Sequence, residues 1–247
     1  MPTSLRVHLL PSLVLSEDLR DRTVVVIDVL RATTTIIQAI AAGARQVIPC
    51  LEIDEVHAIA AKQSSAVLLG GERGGCKIPG FDLGNSPEEY SPAVVKDKTI
   101  VFTTTNGTKA MQRCREARSV LIGAFVNFSA LCERLSTIEQ IDLICAGTDN
   151  QITREDVLLA GAVAEDMLEV HIGRVEMNDQ ALIALDAWRS AREDMRHASP
   201  LVDKLRGSRG GRNLLELGHE RDIDLAADID RFAIVPTLDL KDWVIVG

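Results

Sequence analysis

The sequence predicts an α/β protein, a three-layer α/β/α arrangement in which helices cover both faces of a mostly parallel or mixed sheet. The main observation is that short β-branched apolar runs alternate with helix-like segments through residues 23–147, a pattern typical of such sheets. Composition agrees, because the chain of 247 residues is 46% hydrophobic but only 3% aromatic. A core of Val, Ile, Leu and Ala suits buried strands covered by helices.

Each element of the first part follows from its own stretch of sequence. Runs rich in Val, Ile and Leu predict strands at 23–28, 45–50, 66–71, 99–103, 119–124 and 141–147. The segments between them predict helices at 31–44, 53–63, 107–117 and 128–136. Residues 70–92 contain many glycines, a Pro-Gly and Asn-Ser-Pro, so we expect an irregular insertion there. Irregular segments of this length in compact domains tend to be functional.

The second part of the chain is predicted to be mainly helical. A helical pattern runs from Thr153 to about His197, with Gly173 expected to separate a first helix from a second at Asn178–Arg196. The tail begins with a Gly/Arg loop and short helices, followed by strand-like stretches at 233–236 and 242–246. Because we find no repeat or linker, we expect a single domain over 1–247.

Charge and composition exclude several classes of function. The net charge of −9 argues against a nucleic-acid or anionic-membrane binder, because both need a basic face. No apolar run approaches the roughly 20 residues that span a bilayer, and the first residues lack the features of a signal peptide. The five cysteines include no C-x-x-C, which favours reduced thiols in a cytoplasmic protein. A homodimer is the default expectation, for which the helical region 154–197 offers a surface.

Polar residues cluster at the junctions that follow four of the predicted strands. Ligands of such sheets bind beyond the carboxyl ends of the strands, so these groups would meet if the strands are parallel neighbours. Carboxylates suit Mg²⁺, whereas arginines and helix starts suit a phosphate. The four clusters are Asp28 with Arg31 and Thr33–Thr35, Glu72 with Arg73, Thr104–Thr108, and Asp149–Asn150 with Glu155–Asp156.

Every cluster also has a purely structural explanation. Asp28 is as well explained by a turn-capping role, and Thr33–Thr35 by a helix start. Residues 153–156 fit a capping box, which on spacing alone is favoured over metal binding for the two acids. Asn106-Gly107 suits a tight turn. The coincidence of four such junctions is what favours a ligand site.

The sequence lacks the residue spacing of several common catalytic motifs. Cys76 stands where a P-loop needs lysine, no cysteine is followed six residues later by arginine, and no G-x-S-x-G elbow occurs. The five histidines show no paired metal spacing, and only His219 remains as a weak acid–base candidate.

Five stretches of the sequence resemble the blocks of the 2-phosphosulfolactate phosphatase (ComB) family. They occur in order and span most of the chain, and the glycine-rich one is too unusual to arise from composition. The blocks are DVLRATTTI (28–36), GGERGG with PGFDLGNSPEEY (70–90), TTTNGTKA (103–110), CAGT with EDVLLAG (145–161), and LGHERDI with the residues up to VP (217–236).

The resemblance implies a Mg²⁺-dependent phosphomonoesterase with the family's own three-layer α/β topology. The implied reaction converts 2-phosphosulfolactate and water into sulfolactate and phosphate, a step on a route to coenzyme M. The implied partner is a small anionic phosphorylated substrate.

The negative charge of the implied substrate suggests roles for residues inside the matching blocks. Phosphate, carboxylate and sulfonate groups on one substrate require a pocket that offsets several negative charges. We expect Asp28, Glu72 and Asp156 to hold Mg²⁺, and Glu155 to orient or deprotonate the attacking water. Asp28, Glu155 and Arg31 are the expected catalytic residues. The expected substrate-binding residues are Arg31, Thr33, Thr34, Arg73, Asn85, Thr105, Asn106, Gly107 and Thr108.

Three alternatives stay open. The substrate could be another small phosphorylated hydroxy acid, because a sulfonate and a second carboxylate or phosphate call for the same donors. A covalent route could run through Asp28 or, less favourably, Cys76. The chain could also be a non-catalytic anion-binding protein, although such a protein would gain nothing from added carboxylates without a metal.

Overall fold

The predicted alternation of strands and helices is present, and the α/β class is confirmed. A computed structural model of the chain describes residues 3–63, 66–172, 174–197 and 200–247, so the helix break expected at Gly173 lies outside the described residues. The strands are β1 (Thr3–His8), β2 (Thr23–Ile27), β3 (Gln46–Cys50), β4 (Val67–Arg73), β5 (Cys76–Lys77), β6 (Thr99–Thr103), β7 (Ser119–Gly123), β8 (Gln140–Cys145), β9 (Val175–Met177), β10 (Thr237–Asp239) and β11 (Val244–Val246).

The helices lie mostly where the apolar spacing predicts them. They are α1 (Ala32–Ala41), α2 (Ile53–Ala60), α3 (Pro92–Val95), α4 (Gly107–Arg113), α5 (Phe128–Leu135), α6 (Arg154–Val170), α7 (Asp179–His197), α8 (Leu201–Arg206), α9 (Arg209–Glu216) and α10 (Glu220–Ala226). None of those within the described ranges is both long and apolar enough to cross a bilayer.

The strands of the described residues form one 11-stranded sheet in the order β5-β4-β6-β3-β11-β10-β7-β2-β8-β1-β9. β4, β6 and β3 are mutually parallel, and so are β7, β2, β8, β1 and β9. The hairpin of β10 and β11 joins these two parts and is antiparallel to both. Three antiparallel pairings lie between β3 and β7, so the strands of the two parts run in opposite directions. In a flat sheet, the carboxyl ends of the two parts would therefore lie at opposite edges.

Helices α1 and α4 bring the two parts of the sheet together. Helix α1 contacts β3 and β7, and α4 contacts β2 and β3, so both helices pack on strands from each part. The carboxyl ends of β2, β4, β6 and β8 consequently line one cleft. The predicted convergence therefore occurs in a mixed sheet and not along one row of parallel neighbours.

The burial of β2 shows why this strand reads as a continuous apolar run. Val25 and Ile27 pack into the core under α5, α6 and α7, whereas Val24 and Val26 pack into the core around α1 and α4. Successive side chains point to opposite faces of a sheet, and both faces of β2 are covered. A smaller core lies between β3, β6 and α2.

Besides β9, a short strand within the region expected to be helical, the structure departs from the expectations in three places. Strand β1 is absent from the prediction, because its core residues Leu5 and Val7 alternate with Arg6 and His8. The glycine-rich insertion 70–92 begins as regular strand, since β4 extends to Arg73 and pairs with β5.

The third departure concerns the C-terminal strands. Residues 233–236 are not a strand, and the strand lies at 237–239 instead. The carbonyl of Pro236 still accepts a hydrogen bond from the Ile122 amide at 2.9 Å, although proline has no N–H to continue a ladder. The second predicted stretch does contain a strand, β11.

Candidate active site

The cleft at the carboxyl ends of β2, β4, β6 and β8 has a volume of about 270 Å³. Its walls come from four strand-end junctions, the glycine-rich segment and helix α9. Six residues expected from the sequence to form the site line it: Asp28, Arg31, Glu72, Asn85, Thr105 and Asn106.

Asp28 sits directly after β2 and is 7% exposed. Its Oδ1 accepts a hydrogen bond from the Ala32 amide at 3.2 Å, at the start of α1. Burial and the nearby charges of Glu72 and Glu155 together raise the pKa of Asp28 to about 7, against the lowering effects of the Ala32 amide and Arg31. A buried acid beside other acids is the arrangement that a cation would stabilise.

Gly107 explains how α4 can begin so close to this carboxylate. A Cβ at this position would lie 2.8 Å from Asp28 Oδ2 and 2.6 Å from the Ala32 Cβ. Only glycine therefore allows the first residue of α4 to approach Asp28.

Glu72 is held at the end of β4 by three donors. Its Oε1 accepts a hydrogen bond from the Thr105 amide at 2.7 Å, and its Oε2 accepts from the Gly75 amide at 2.7 Å and the Thr105 hydroxyl at 3.2 Å. These contacts tie the glycine-rich segment to the junction after β6. The carboxylate faces the cleft with its orientation fixed.

Arg31 is a buried guanidinium in the wall of the cleft. Its Nη1 donates to Asp222 Oδ2 at 2.7 Å, and its Nη2 donates to the Gly75 carbonyl at 2.7 Å. Asp222 lies in α10 and also accepts from the Ser86 hydroxyl at 2.6 Å. A guanidinium has five N–H groups, so donors remain for an anion after these two bonds.

Two polar atoms next to the cleft have no partner. Asn85 Oδ1 and Glu155 Oε2 are buried and form no hydrogen bond with the described residues. Buried polar atoms are usually satisfied, so the Asn85 oxygen, which belongs to the cleft lining, is available to a ligand.

Glu155 and Asp156 begin α6 but do not line the cleft. Asp156 accepts hydrogen bonds from the Val29 amide at 2.9 Å and the Gly147 amide at 3.0 Å, which links the junctions after β2 and β8. The Thr153 side chain does not cap the helix, so a capping box is not formed. The contacts of Asp156 favour a positioning role, and its role as a metal ligand stays a prediction.

Glu155 lies behind Asp28, against α9. A Cβ on Gly210 would lie 2.2 Å from Glu155 Oε1, so glycine is required there. Burial raises the pKa of Glu155 despite hydrogen bonds that lower it. Glu155 therefore contributes to the charge around Asp28 without facing the cleft.

Other expected substrate ligands bond to the protein instead. The hydroxyls of Thr33 and Thr34 donate to the carbonyls of Asp28 and Val29 at 2.9 and 2.8 Å. The Thr108 hydroxyl donates to the Thr104 carbonyl at 2.7 Å. The guanidinium of Arg73 donates to the carbonyls of Glu72 and Leu51 at 2.9 and 2.6 Å and to the Thr103 hydroxyl at 2.9 Å.

Sequence reasoning missed the contribution of the C-terminal helices. Asp222, which fixes Arg31, lies within a block of the family resemblance but had no assigned role. Helix α9 also lines the cleft, although it does not follow any of the predicted strands whose ends were expected to form the site; its lining residues are Gly210, Asn213, Leu214 and Glu216. His219 lies outside the cleft lining, 3.8 Å from Asp222.

The donor set fits a magnesium ion. Across the described ranges of the chain, no group of three His, Cys, Asp or Glu side chains could hold a metal by itself. Mg²⁺ is commonly held by one or two carboxylates together with waters and substrate phosphate. Asp28 and Glu72 supply two such carboxylates in the cleft, with the unpartnered Asn85 oxygen on the same wall.

The fold and the cleft define an α/β protein with a ligand site at the ends of its strands. The site combines buried carboxylates, a fixed guanidinium and neutral polar groups, which together suit a small anion bound with a cation. The chain belongs to the 2-phosphosulpholactate phosphatase family, whose family model matches residues 8–241. The resemblance described from the sequence is thereby confirmed.

Relatives of similar length support this membership. The chain is 40% identical to a "Probable 2-phosphosulfolactate phosphatase" of Carboxydothermus hydrogenoformans, covering 92% of this chain and 90% of the relative. Proteins of the same name from Symbiobacterium thermophilum and Deinococcus radiodurans are 41% and 40% identical, over 90% of this chain and 93% and 90% of their own lengths.

Proposed function

We propose that the protein is a Mg²⁺-dependent phosphomonoester hydrolase that converts 2-phosphosulfolactate and water into sulfolactate and phosphate. Family membership supports the reaction class, and the names of the relatives support the substrate. The structural observation that carries the proposal is that two buried carboxylates and a buried guanidinium line the same cleft. In the context that the family resemblance implies, the product feeds a route to coenzyme M.

Asp28 and Glu72 are the residues that would hold the metal ion. A bound Mg²⁺ would polarise the phosphoryl group and lower the pKa of a coordinated water. Glu72 is pre-oriented for this role by its hydrogen bonds with Thr105 and Gly75. Asp28 is stabilised most, because a cation offsets the burial and the neighbouring acids that raise the pKa of this carboxyl.

Arg31 would bind the phosphoryl oxygens. Asp222 and the Gly75 carbonyl fix its guanidinium, so little side-chain entropy is lost when an anion binds. Thr105, Asn106 and Asn85 add neutral polar groups on the same walls. Neutral donors orient the substrate without the excess positive charge that would retain phosphate product.

Glu155 remains the proposed base for the attacking water. Burial raises its pKa, which increases its affinity for a proton, and its Oε2 has no hydrogen-bond partner among the described residues. Because Glu155 stands behind Asp28 and outside the cleft lining, a water next to Gly210 would have to connect it to the phosphoryl group. A covalent route through Asp28 is the alternative.

A phosphate-release assay tests the proposed function. Purified protein is incubated with 2-phosphosulfolactate and with other phosphorylated hydroxy acids, in the presence of Mg²⁺ and of EDTA. We expect release from 2-phosphosulfolactate with Mg²⁺ and loss of release with EDTA. Faster phosphate release from a different phosphorylated hydroxy acid would identify that ester as the substrate. No release from any ester would favour a non-catalytic anion-binding protein.

A further inference from the structure

A second cavity adjoins the cleft and is built differently. This cavity, which we call the annex, has a volume of about 550 Å³ and is lined by Lys109, Gln112 and Arg113 of α4. It shares Thr105, Asn106 and Asp149 with the cleft, so the two cavities adjoin at these residues.

The annex and the cleft carry opposite charge. Lys109 and Arg113 are four residues apart on one face of α4, and neither forms an ion pair with another residue in the described ranges. Asp149, the acid of the annex, is bound to Arg209 at 3.1 Å. In a protein with a net charge of −9, two unpaired cations beside a carboxylate-lined cleft mark a place for an anion.

We propose that the annex is the subsite for the sulfonate of the substrate, held by Lys109 and Arg113. The inference rests on the proposed function, because it assumes that the phosphate lies in the cleft. On 2-phosphosulfolactate the sulfur is one bond farther from the phosphate-bearing carbon than the carboxylate carbon is. The sulfonate is therefore the group that extends past Asn106 into the annex, while the carboxylate stays nearer the cleft.

The chemistry of the annex suits a sulfonate. A sulfonate keeps its charge at all relevant pH values and presents three acceptor oxygens. Lys109 is exposed and Arg113 is half-buried, which permits their side chains to adjust around a tetrahedral group without a large desolvation cost. Gln112 and Ser12 add neutral polar groups on the same surface.

The test compares two esters that differ only in the sulfonate. The ratio of kcat/KM for 2-phosphosulfolactate to that for 2-phospholactate is measured for the wild type and for a Lys109→Met/Arg113→Met double variant. We expect the ratio to fall about 3- to 30-fold in the variant, since each of the two exposed charge pairs contributes up to about 1 kcal/mol. The control is Lys62→Met, an exposed lysine away from both cavities, which should keep the wild-type ratio.

A binding measurement separates this inference from the proposed function. Thermal stabilisation of the protein by sulfolactate, relative to lactate, needs no turnover. Stabilisation by sulfolactate that the double variant loses supports the annex even if neither ester is hydrolysed. An unchanged kcat/KM ratio, or sulfolactate stabilisation equal in the wild type and the double variant, would overturn it.

Discussion

Two buried aspartates, which lie towards opposite ends of the neighbouring parallel strands β8 and β2, have opposite surroundings. Asp142 is near the start of β8, is fully buried and is bound by cations and a histidine: Arg6 Nε at 2.8 Å, His8 Nε2 at 2.6 Å, and Arg22. Asp28 follows the end of β2 and faces Glu72 and Glu155, with Arg31 as its cation.

The pKa values follow these surroundings. For Asp142, burial raises the pKa, but hydrogen bonds from His8, Arg22 and Arg6 outweigh it and hold the pKa below its usual value. For Asp28, burial and the like charges of Glu72 and Glu155 together raise the pKa to about 7. Asp142 is thus satisfied by the protein itself, whereas Arg31, the cation that lowers the pKa of Asp28, is itself paired with Asp222. Such uncompensated acids concentrate at functional sites.

The largest expected effect is on turnover at Asp28. We expect Asp28→Asn to lower kcat/KM on the order of 10⁴-fold, about 5.5 kcal/mol, because the amide cannot replace a charged metal ligand. Steady-state phosphate release at saturating Mg²⁺ measures this change. The matched control is Asp54→Asn, an exposed acid of α2. Near-normal turnover of Asp28→Asn with unchanged Mg²⁺ dependence would refute the metal role.

The next effect is on stability at Asp142. Asp142→Ala leaves Arg6, Arg22 and His8 without their common acceptor, and breaking a buried ion pair costs about 3–5 kcal/mol. Urea unfolding should show this loss, while the protein that remains folded keeps its kcat/KM. If activity fell as strongly as at Asp28 with no loss of stability, the contrast between the two aspartates would be wrong.

A smaller effect is expected at Asp222, which positions Arg31. Asp222→Asn keeps the size of the side chain and its acceptor for Ser86 but weakens the bond to the guanidinium. We expect kcat/KM to fall about 10- to 100-fold, in the range of a lost charge-assisted hydrogen bond. Partial rescue in Asp222→Glu, compared with Asp222→Ala, would identify a positioning role. Equal losses in all three variants would indicate a purely structural one.

The sequence predicts the central strands well, because their apolar runs are continuous and local. β1 was missed since Arg6 and His8 look like surface residues until Asp142, more than 130 positions away, is placed beside them. The position of β10 was also missed, because the preceding residues 233–236 are equally apolar. Non-local pairing, which no local pattern encodes, decides both cases.

The candidate site was predictable in its location more than in its detail. Asp28 and Glu72 could be found because the carboxyl ends of strands are where ligands bind. Whether a threonine faces a ligand or bonds to its own backbone depends on side-chain rotation, so Thr33 and Thr34 could not be separated from Thr105 by residue type. The roles of Asp222 and α9 depend on how the C-terminal helices pack over the cleft.

The smallest expected effect is a change of stability with pH in the metal-free protein. Because the pKa of Asp28 is about 7 when folded and near its ordinary value of 3.8 when unfolded, the folded state binds more protons between these values. The free energy of unfolding should therefore fall as pH rises from about 4 to 7. The lowered pKa of Asp142 acts in the opposite direction, adding stability that is lost only as pH falls below about 4.

Urea unfolding of the metal-free protein at pH 5 and pH 8 measures this dependence. We expect a loss of about 1–2 kcal/mol for the wild type over this interval, smaller than the full pKa difference allows because neighbouring acids share the proton. Asp28→Asn should remove most of the loss, and Mg²⁺ should stabilise the wild type more at pH 8 than at pH 5, since protons compete with the cation for the same carboxylate. A pH dependence that persists in Asp28→Asn would show that another acid of the cluster takes up the proton, with Asp156 and Glu155, whose pKa values are also raised, as the next groups to replace.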